Sequence, residues 1–330
     1  MESASALPTA TSPQLDVRPL SEHIGAELHN FDLRSVLSDR WARLQVRDAL
    51  ARHLVLRVRG QDLDADELMS LCSVWGPLMD VRHAGNGALH VPGNDFIKVI
   101  SNARTRDGRR VGDGNSAGQI WHSDATYWEA PPGVTLFCGK VAPAALPRTY
   151  FLDMIKVYAA LADELKREIR DVRVQHHQYP RGVEIGDNPT QATLSVEKRS
   201  RGAIHPLVRR HLASNRPALY LPYRRDCLIP GMDEARARDL LERLWAFTDR
   251  CNFHHGVALE PGDVVIWDNT AVLHRRDSWP ATQARVMWHI SAQGEVPTPM
   301  YTRIDVNENA LGFDGKGDTS YIADLQAVLP

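Results

Sequence analysis

Short strand-like segments that follow one another without regularly spaced helices constrain the fold of this sequence more than any other feature. Segments rich in β-branched and aromatic residues are typical of strands, and seven of them stand out: residues 96–101, 134–141, 171–178, 204–211, 218–221, 263–267 and 285–291. A doubly wound parallel sheet needs strands and helices in regular alternation, so this order argues against it. We predict a mostly β protein, with the two facing sheets of a jelly roll and flanking α-helices.

Four helices are expected beside these strands. One covers residues 40–52 and precedes a strand at 54–58. A second begins at Asp64, which forms a capping box with Glu67. Two more begin at Asp153 and Asp233. The helix after Asp153 is expected to carry one apolar stripe, made of Ile155, Tyr158, Leu161, Leu165 and Ile169.

Charge and composition exclude several classes of protein. The 330 residues are 43% hydrophobic and 24% charged, which is ordinary for a globular protein and excludes a largely disordered chain. A formal net charge of -2 at pH 7 gives no basic field, and no apolar run is long enough to span a bilayer. We therefore expect neither a nucleic acid nor a membrane as partner.

Cysteine usage points to a reducing compartment. The chain has four cysteines, which lie far apart and form no Cys-x-x-Cys motif: Cys72, Cys138, Cys227 and Cys251. This pattern indicates neither a disulfide framework nor a thiolate zinc site. A cytoplasmic location is the resulting expectation.

The chain is expected to hold one domain after a short leader. Residues 1–16 are rich in Ala, Ser, Thr and Pro and lack the basic start and apolar core of a secretory signal, which predicts a flexible leader. Residues 17–330 are expected to form the single domain. Two long polar stretches within it, near 102–118 and 180–201, are predicted to be lid loops.

The densest chemical signal is the run Trp-His-Ser-Asp at residues 121–124. On a strand, His122 and Asp124 are two positions apart and point to the same face. One more histidine would complete the two-His-one-carboxylate triad that holds Fe(II). By itself the pair is weak evidence, because a hydrogen-bonded surface pair has the same spacing.

A second cluster strengthens the case. Residues 260–269 form a turn, an apolar strand and a polar exit, with His274 after a short loop and Arg285 on the next strand. We expect His274 and Arg285 on adjacent strands, facing the same cavity as the first pair. A buried arginine needs an anion, and its planar fork matches a carboxylate.

These stretches resemble the TauD/TfdA family of Fe(II)- and 2-oxoglutarate-dependent dioxygenases. The matching runs are Trp-His-Ser-Asp-Ala-Thr-Tyr with the following Pro-Pro-Gly, His-Pro-Leu-Val-Arg at 205–209, and Pro-Gly-Asp-Val-Val-Ile-Trp-Asp-Asn before His274 and Arg285. They follow the family's order over most of residues 55–294. The resemblance implies a double-stranded β-helix, cupin-like core, with Fe(II), 2-oxoglutarate and O2 as requirements.

Residue roles follow from the resemblance. It implies that His122, Asp124 and His274 are the catalytic iron ligands. It further implies that Arg285, eleven positions after His274, binds the distal carboxylate of 2-oxoglutarate with help from the Thr149 hydroxyl.

The sequence departs from the family at two places. Leu146-Pro147-Arg148 replaces a Gly-Gly-Asp that often precedes the threonine, and His289 replaces a second arginine that the family often carries. Whether Arg285 binds the co-substrate alone or together with His289 is left open by the sequence.

The resemblance also implies the reaction class. Decarboxylation of 2-oxoglutarate to succinate is coupled to oxidation of a substrate C–H bond, in most members by hydroxylation. Desaturation, epoxidation and ring closure begin with the same hydrogen abstraction and are the alternatives. Asp124 argues against halogenation, since related halogenases carry a small residue there. The divergent motifs favour an amino-acid or natural-product intermediate as substrate.

Candidate substrate contacts and competing functions complete the sequence-based hypotheses. The candidate contacts are Asn102, Trp121, Tyr127, His176, Tyr223 and Arg225. Core packing or a solvated loop explains each of these equally simply. A zinc hydrolase with the same triad and a non-catalytic jelly-roll binding protein are the competing functions. A small molecule is the expected partner, and homo-oligomer formation is left open.

Overall fold

The computed structural model describes residues 14–80, 89–178, 200–224 and 228–301. Contacts between residues divide the chain into one compact unit, Met1–Met300, and a second, Tyr301–Pro330. All helices and strands of the described residues lie in the first unit. Within the described ranges, no helix combines the length and the apolar character needed to cross a membrane.

Six helices and fifteen strands make up the described part of the chain. The helices are α1 (Ser35–Ser38), α2 (Arg40–His53), α3 (Ala65–Ser73), α4 (Met154–Ala160), α5 (Asp163–Ile169) and α6 (Glu234–Thr248). The strands are β1 (Asp16–Pro19), β2 (Ala26–His29), β3 (Val55–Val58), β4 (Lys98–Ser101), β5 (Gln119–His122), β6 (Pro132–Val141), β7 (Thr149–Asp153), β8 (Arg173–Gln178), β9 (Ser200–Pro206), β10 (Val208–His211), β11 (Arg216–Leu219), β12 (His254–Val257), β13 (Val264–Asp268), β14 (Val272–Arg276) and β15 (Val286–Gln293).

Two facing sheets form the core of the molecule, which confirms the predicted mostly β, jelly-roll architecture. The large sheet has the strand order β1-β2-β3-β13-β6-β15-β4, and the small sheet has the order β12-β7-β14-β5. All pairings in these sheets are antiparallel except β2 with β3. The pairs β8–β9 and β10–β11 form two further ribbons.

The large sheet is buried on both faces, as its central strand β13 shows. Val264 and Ile266 belong to one core cluster with residues of α2 and α3. Val265 and Trp267 belong to another, together with Phe151 of the small sheet. Alternating side chains of one strand thus pack on the helices and on the opposite sheet. The space between the two sheets is where the candidate site lies.

Local capping signals fix most of the helix ends. The capping box of Asp64 and Glu67 is present at the start of α3, as predicted. The Asp233 side chain accepts from the Arg236 amide at the start of α6. The single helix predicted after Asp153 is wrong, because the backbone is extended at Leu161 and the chain forms α4 and α5 instead. The acidic residues that open α5 favour a new helix start there.

The structure bears on the strand predicted over 204–211 and on the two predicted lid loops. The strand predicted over 204–211 is interrupted at residue 207, which separates β9 from β10. Residues 102–118 are tied back to β4, since the Ser101 amide donates to the Asp113 carbonyl. Their lid function stays a prediction. Most of the other predicted lid, residues 180–199, lies outside the described residues.

Candidate active site

His122 and His274 lie side by side on neighbouring strands of the small sheet. They are register partners in β5 and β14, and their ring centroids are 4.1 Å apart. The Nδ1 atom of His122 lies 2.9 Å from the carbonyl oxygen of Ile120. Because a carbonyl only accepts, Nδ1 is the donor in this bond, and Nε2 keeps its lone pair for a metal.

Asp124 lies in a turn after β5, so the prediction that it shares a strand with His122 is wrong. The side chain of Asn269 holds this turn. Its Oδ1 accepts from the Asp124 amide at 3.0 Å, and its Nδ2 donates to the Asp124 carbonyl at 3.2 Å. Ala125 follows with a φ of 45°, a left-handed conformation that costs a non-glycine residue free energy. The carboxylate is therefore positioned by a clamped turn.

The three predicted ligands form one compact set of donor atoms. Oδ1 of Asp124 lies 3.9 Å from Nε2 of His122 and 3.7 Å from Nε2 of His274. One ligand atom from each residue lies within 4.8 Å of the others. Two imidazole nitrogens and one carboxylate oxygen are the donor set that non-haem Fe(II) sites use while leaving coordination positions open. The residues present therefore fit iron.

Burial and neighbouring charges set the protonation states that ligation needs. Burial, with the nearby His122 adding to it, lowers the pKa of His274 to about 3. Burial also lowers the pKa of His122. For Asp124, burial raises the pKa, but His274 and the hydrogen bond from His289 outweigh it, and the pKa lies below its ordinary value. The set thus offers two neutral imidazoles and one carboxylate.

His289 lies beside the carboxylate ligand. Its Nε2 is 3.2 Å from Oδ2 of Asp124, whereas the two ligand imidazoles are nearest to Oδ1. Its ring packs edge-on against Phe137 and Trp267. Binding of the co-substrate by His289 together with Arg285 stays a prediction. The contact observed in the structure is with Asp124.

Arg285 is a buried guanidinium of the large sheet. It precedes β15, whereas His274 is in β14 of the small sheet, so the expectation of adjacent strands is wrong. The guanidinium packs over Phe137, a residue of the core between the sheets. Burial, and then the positive charge of Arg276, lowers the pKa of Arg285 to about 9. Its Nη1 atom is buried and has no hydrogen-bond partner among the described residues.

Thr149 supplies a second unpaired polar atom. It begins β7, and its buried Oγ1 has no hydrogen-bond partner within the described part of the chain. Buried hydroxyl and guanidinium groups are normally hydrogen-bonded. The unpaired atoms of Thr149 and Arg285 are donors that suit an oxyanion, so these residues fit the distal carboxylate of a 2-oxo acid.

Asn102 supports the segment that leads to Arg285. Its Oδ1 accepts from the Arg285 amide at 2.9 Å. Its Nδ2 lies 3.3 Å from the carbonyl oxygen of Ala281 and 3.0 Å from that of Gln283. The predicted contact of Asn102 with substrate is not tested by these bonds, but they give its side chain a clear structural role.

Trp121 lies away from the ligands. Successive side chains of a strand point to opposite faces, so Trp121 and His122 face different sides of β5. The Arg275 guanidinium packs over the Trp121 ring at 5.1 Å, and the His254 ring meets it at 6.0 Å. The expectation that Trp121 lines the substrate cavity is therefore not supported by its position.

Two predicted substrate residues lie close to the ligands. Tyr223 stacks on His122, with 5.7 Å between ring centroids and 27° between the planes. The pKa of Tyr127 is raised by burial and, to a smaller extent, by the charge of Asp124. Both side chains are partly exposed, as a cavity wall would be.

His176 is fully buried in an aromatic cluster. Its ring stacks on Tyr220 at 5.0 Å and meets His205 at 5.1 Å. Neither ring nitrogen has a hydrogen-bond partner in the described residues. Burial, followed by the charge of His205, holds the pKa of His176 well below its ordinary value. The remaining predicted substrate residue, Arg225, lies outside the described residues.

Sequence reasoning missed two residues of the site, Asn269 and Arg276. Asn269 follows β13 directly and ends the run Trp-Asp-Asn, which is part of the family motif. This position in the motif could have identified it. Arg276 is two residues after His274 on β14, and strand alternation places both side chains on one face. The proximity of Arg276 to His274 could be predicted only if residues 272–276 were known to form a strand.

Comparison with known proteins gives a family match over most of the chain. The family model described as "Taurine catabolism dioxygenase TauD, TfdA family" matches residues 16–291. An (S)-phenoxypropionate/alpha-ketoglutarate-dioxygenase of Sphingobium herbicidovorans is 28% identical, covering 86% of this chain and 96% of that protein. Pentalenolactone F synthase of Streptomyces avermitilis is 24% identical, covering 80% and 89%.

A solved structure shows the same arrangement of the chain. AAD-2, crystallised in complex with Mn(II) and N-oxalylglycine, is 27% identical and superposes with a TM-score of 0.66. The match covers 86% of this chain and 99% of that one. That protein holds a divalent metal and an oxalyl compound within the same fold.

Proposed function

The chain belongs to the TauD/TfdA family and is a 2-oxoglutarate-dependent non-haem iron dioxygenase, and we propose that it hydroxylates a small organic substrate. The observation that carries the proposal is one interior that holds both a two-His-one-carboxylate set and a buried arginine with unpaired donors. A zinc hydrolase needs no such arginine, and a binding protein needs neither feature.

We assign the metal to His122, Asp124 and His274. Iron and 2-oxoglutarate, when bound, supply the one-electron chemistry that activates oxygen, which amino-acid side chains cannot provide. The protein's part is to hold the three ligand atoms within 4.8 Å of one another and to keep both imidazoles neutral. The single carboxylate leaves one positive charge of the ion for an anionic co-substrate.

We assign the distal carboxylate of 2-oxoglutarate to Arg285 and Thr149. Each has a buried polar atom without a partner among the described residues, and each is able to donate to an oxyanion. A guanidinium and a hydroxyl fix both the position and the orientation of a carboxylate. Binding in this place also satisfies groups whose burial without partners costs free energy.

We place the substrate beside Tyr223 and Tyr127. The Tyr223 ring stacks on His122, and burial together with the charge of Asp124 raises the pKa of Tyr127. Aromatic rings at the ligands limit the access of water to the reacting groups. His176 and Arg225 stay predicted contacts, and Trp121 is not included because it lies on the other face of its strand.

An amino-acid or natural-product intermediate is the substrate class that we favour. Similarity to pentalenolactone F synthase supports the second of these. His289 replaces a family arginine, and its Nε2 contacts Asp124, so this nitrogen is not available to an acidic substrate. The alternative class is the aryloxy acids, which the Sphingobium relative is named for. Desaturation, epoxidation and ring closure are the alternative reactions.

We also propose a cytoplasmic enzyme whose only required partners are small molecules. The cysteines that the structure describes, Cys72, Cys138 and Cys251, are free thiols, which suits a reducing compartment. Homo-oligomer formation is a separate question for light scattering.

A visible difference spectrum tests the proposed site without a known substrate. Fe(II) and 2-oxoglutarate are added anaerobically to the apo-protein, and we expect a weak charge-transfer band. The band should vanish in His122→Ala and weaken in Arg285→Ala at limiting 2-oxoglutarate. His254→Ala, on the opposite face of the small sheet, is the matched control and should keep the band. Absence of the band in folded wild-type protein would contradict the proposal.

Substrate class and reaction type need a second assay. Succinate release is measured with a panel of amino acids, terpenoid lactones and aryloxy acids, and products are identified by mass. A gain of one oxygen supports hydroxylation or epoxidation, and a loss of two hydrogens supports desaturation or ring closure. Turnover of aryloxy acids alone would overturn the favoured substrate class.

A further inference from the structure

A second buried arginine lies next to the residue assigned to the co-substrate. Arg276 is only 5% exposed, and it is the register partner of Thr149 across β14 and β7. It shares a strand face with His274, two residues earlier. Its guanidinium packs over Trp279 at 4.6 Å, and that of Arg285 packs over the same ring at 5.4 Å. Two guanidinium groups are therefore gathered around one indole.

No carboxylate of the described residues neutralises this pair. Among the described residues, neither Arg276 nor Arg285 has a carboxylate oxygen within 4.0 Å. A buried guanidinium without an anion is costly, and two adjacent ones repel each other as well. Folding has placed both here despite that cost, which points to a ligand that supplies the missing negative charge.

Arg276 is not fully occupied by its structural contacts. Its Nη2 donates to the carbonyl oxygens of Asn115 at 3.1 Å and Ala117 at 2.7 Å, which ties the 115–117 segment to β14. Its Nε is buried and has no partner in the parts of the chain that the structure describes. Nε of Arg276, Nη1 of Arg285 and Oγ1 of Thr149 are all buried without a partner among the described residues. The three residues are linked by the register pair of Arg276 with Thr149 and by the Trp279 ring that both arginines contact.

We propose that Arg276 is a second guanidinium for the distal carboxylate of 2-oxoglutarate, beside Arg285. The inference rests on the proposed co-substrate site and adds a residue to it. It predicts that Arg276 contributes to the selection of a 2-oxo acid with a second carboxylate. A 2-oxo acid with an uncharged tail leaves both arginines without an anion, so it gains nothing from Arg276.

The test compares two co-substrates in four proteins. 2-Oxoglutarate and pyruvate, which lacks the distal carboxylate, are titrated anaerobically into the Fe(II) form while the visible band is recorded. The proteins are wild type, Arg276→Gln, Arg285→Gln and the control Arg275→Gln, whose side chain packs on Trp121 and Tyr150. We expect Arg276→Gln to weaken 2-oxoglutarate binding by about 10- to 100-fold and to leave pyruvate binding unchanged. Arg275→Gln should change neither.

Other outcomes would overturn the proposal. Equal weakening of both co-substrates by Arg276→Gln indicates that Arg276 only holds the 115–117 segment. Unchanged binding of 2-oxoglutarate shows that Arg285 acts without it. If Arg276→Gln does not fold, Arg276→Lys keeps the charge and removes the Nε donor, so it should weaken 2-oxoglutarate binding by a smaller factor and leave pyruvate binding unchanged. An unchanged 2-oxoglutarate affinity, or equal weakening of both co-substrates, counts against the proposal. A wild-type protein without a band instead refutes the proposed site as a whole.

Discussion

The metal side and the anion side of the site are built from the same two sheets, but their polar groups are satisfied in different ways. On the metal side, the carboxylate ligand Asp124 is held by Asn269 and contacted by His289, although Nδ1 of His274 is buried without a partner among the described residues. On the anion side, Thr149, Arg276 and Arg285 each keep a buried atom that has no partner among the described residues. The carboxylate of the proposed metal site is positioned by the protein itself, whereas the proposed anion site keeps donors that a ligand would satisfy. The position of the metal ligands and the charge around the co-substrate therefore depend on different contacts within one site.

Removal of the carboxylate ligand is expected to have the largest effect on this comparison. Asp124→Ala removes a ligand, so Co(II) affinity, followed by the visible bands of the bound ion, should fall by more than the ~100-fold typical of outer partners. Asp277→Ala, a partly exposed position just after β14, is the control. Arg285→Gln should leave Co(II) affinity unchanged, because it belongs to the anion side. A similar loss in both variants would show that the two sides are not separable.

His289 is expected to have the next largest effect. His289→Leu removes the group nearest Oδ2 of Asp124, and Co(II) affinity should fall by about 10- to 100-fold. His289→Gln keeps an N–H donor and should recover part of the loss. If His289→Leu weakens 2-oxoglutarate binding but not Co(II) binding, His289 belongs to the anion side after all.

Asn269 tests whether the clamped turn matters to the metal. Asn269→Ala leaves the Asp124 amide and carbonyl without their partner, and the free energy of unfolding should fall by about 2 kcal/mol. Denaturant titration of the apo-protein measures this change, and Co(II) affinity is measured in parallel. Reduced stability with unchanged Co(II) affinity would show that Asn269 supports the fold without positioning the ligand.

His176 also has buried ring nitrogens without a partner among the described residues, but its ring packs on Tyr220 and His205. We expect these nitrogens to affect the stability of the fold and not the binding of metal or co-substrate. Folded His176 stays neutral, because its pKa is held well below the ordinary value, and unfolded His176 takes up a proton near pH 6.5. The unfolded state then binds more protons, so stability falls as the pH drops below that value, by up to about 1.4 kcal/mol per pH unit.

Substitution of His176 isolates that contribution. His176→Phe should make the pH dependence of the unfolding free energy between pH 7 and pH 5 shallower, while His205 still contributes. Co(II) and 2-oxoglutarate affinities should not change. An unchanged pH dependence would mean that His176 is already protonated in the folded protein.

Local signals were the part of this molecule that the sequence predicted well. The capping box at Asp64 is complete within a short run, and it is present as predicted. The proximity of His122, Asp124 and His274 joins two distant motifs, and the resemblance to the family made it predictable. The pairing of His289 with Asp124 was not predictable, because it depends on how β15 of one sheet faces the turn after β5 of the other. The proximity of Arg276 and Arg285 has the same origin.

Two other predictions were wrong for reasons that the sequence itself contains, the position of Trp121 and the single helix after Asp153. Strand alternation separates Trp121 from His122, although the two residues are adjacent in sequence. The break at Leu161 was hidden because the apolar stripe continues through it into α5. Periodicity describes which face is buried, and it does not report a change in backbone direction.

The pairing of β5 with β14 has a further consequence, which concerns the lifetime of the protein. It joins segments that are distant along the chain, as the bond from Ser123 Oγ to the Val272 carbonyl shows across 149 positions. An ion bound by His122 and His274 therefore acts as a reversible cross-link over a very large loop, whose closure is entropically costly for the unfolded chain. By thermodynamic linkage, a metal at 100 times its dissociation constant stabilises the fold by about 2.7 kcal/mol. Bound iron is therefore expected to increase the resistance of the fold to unfolding and proteolysis.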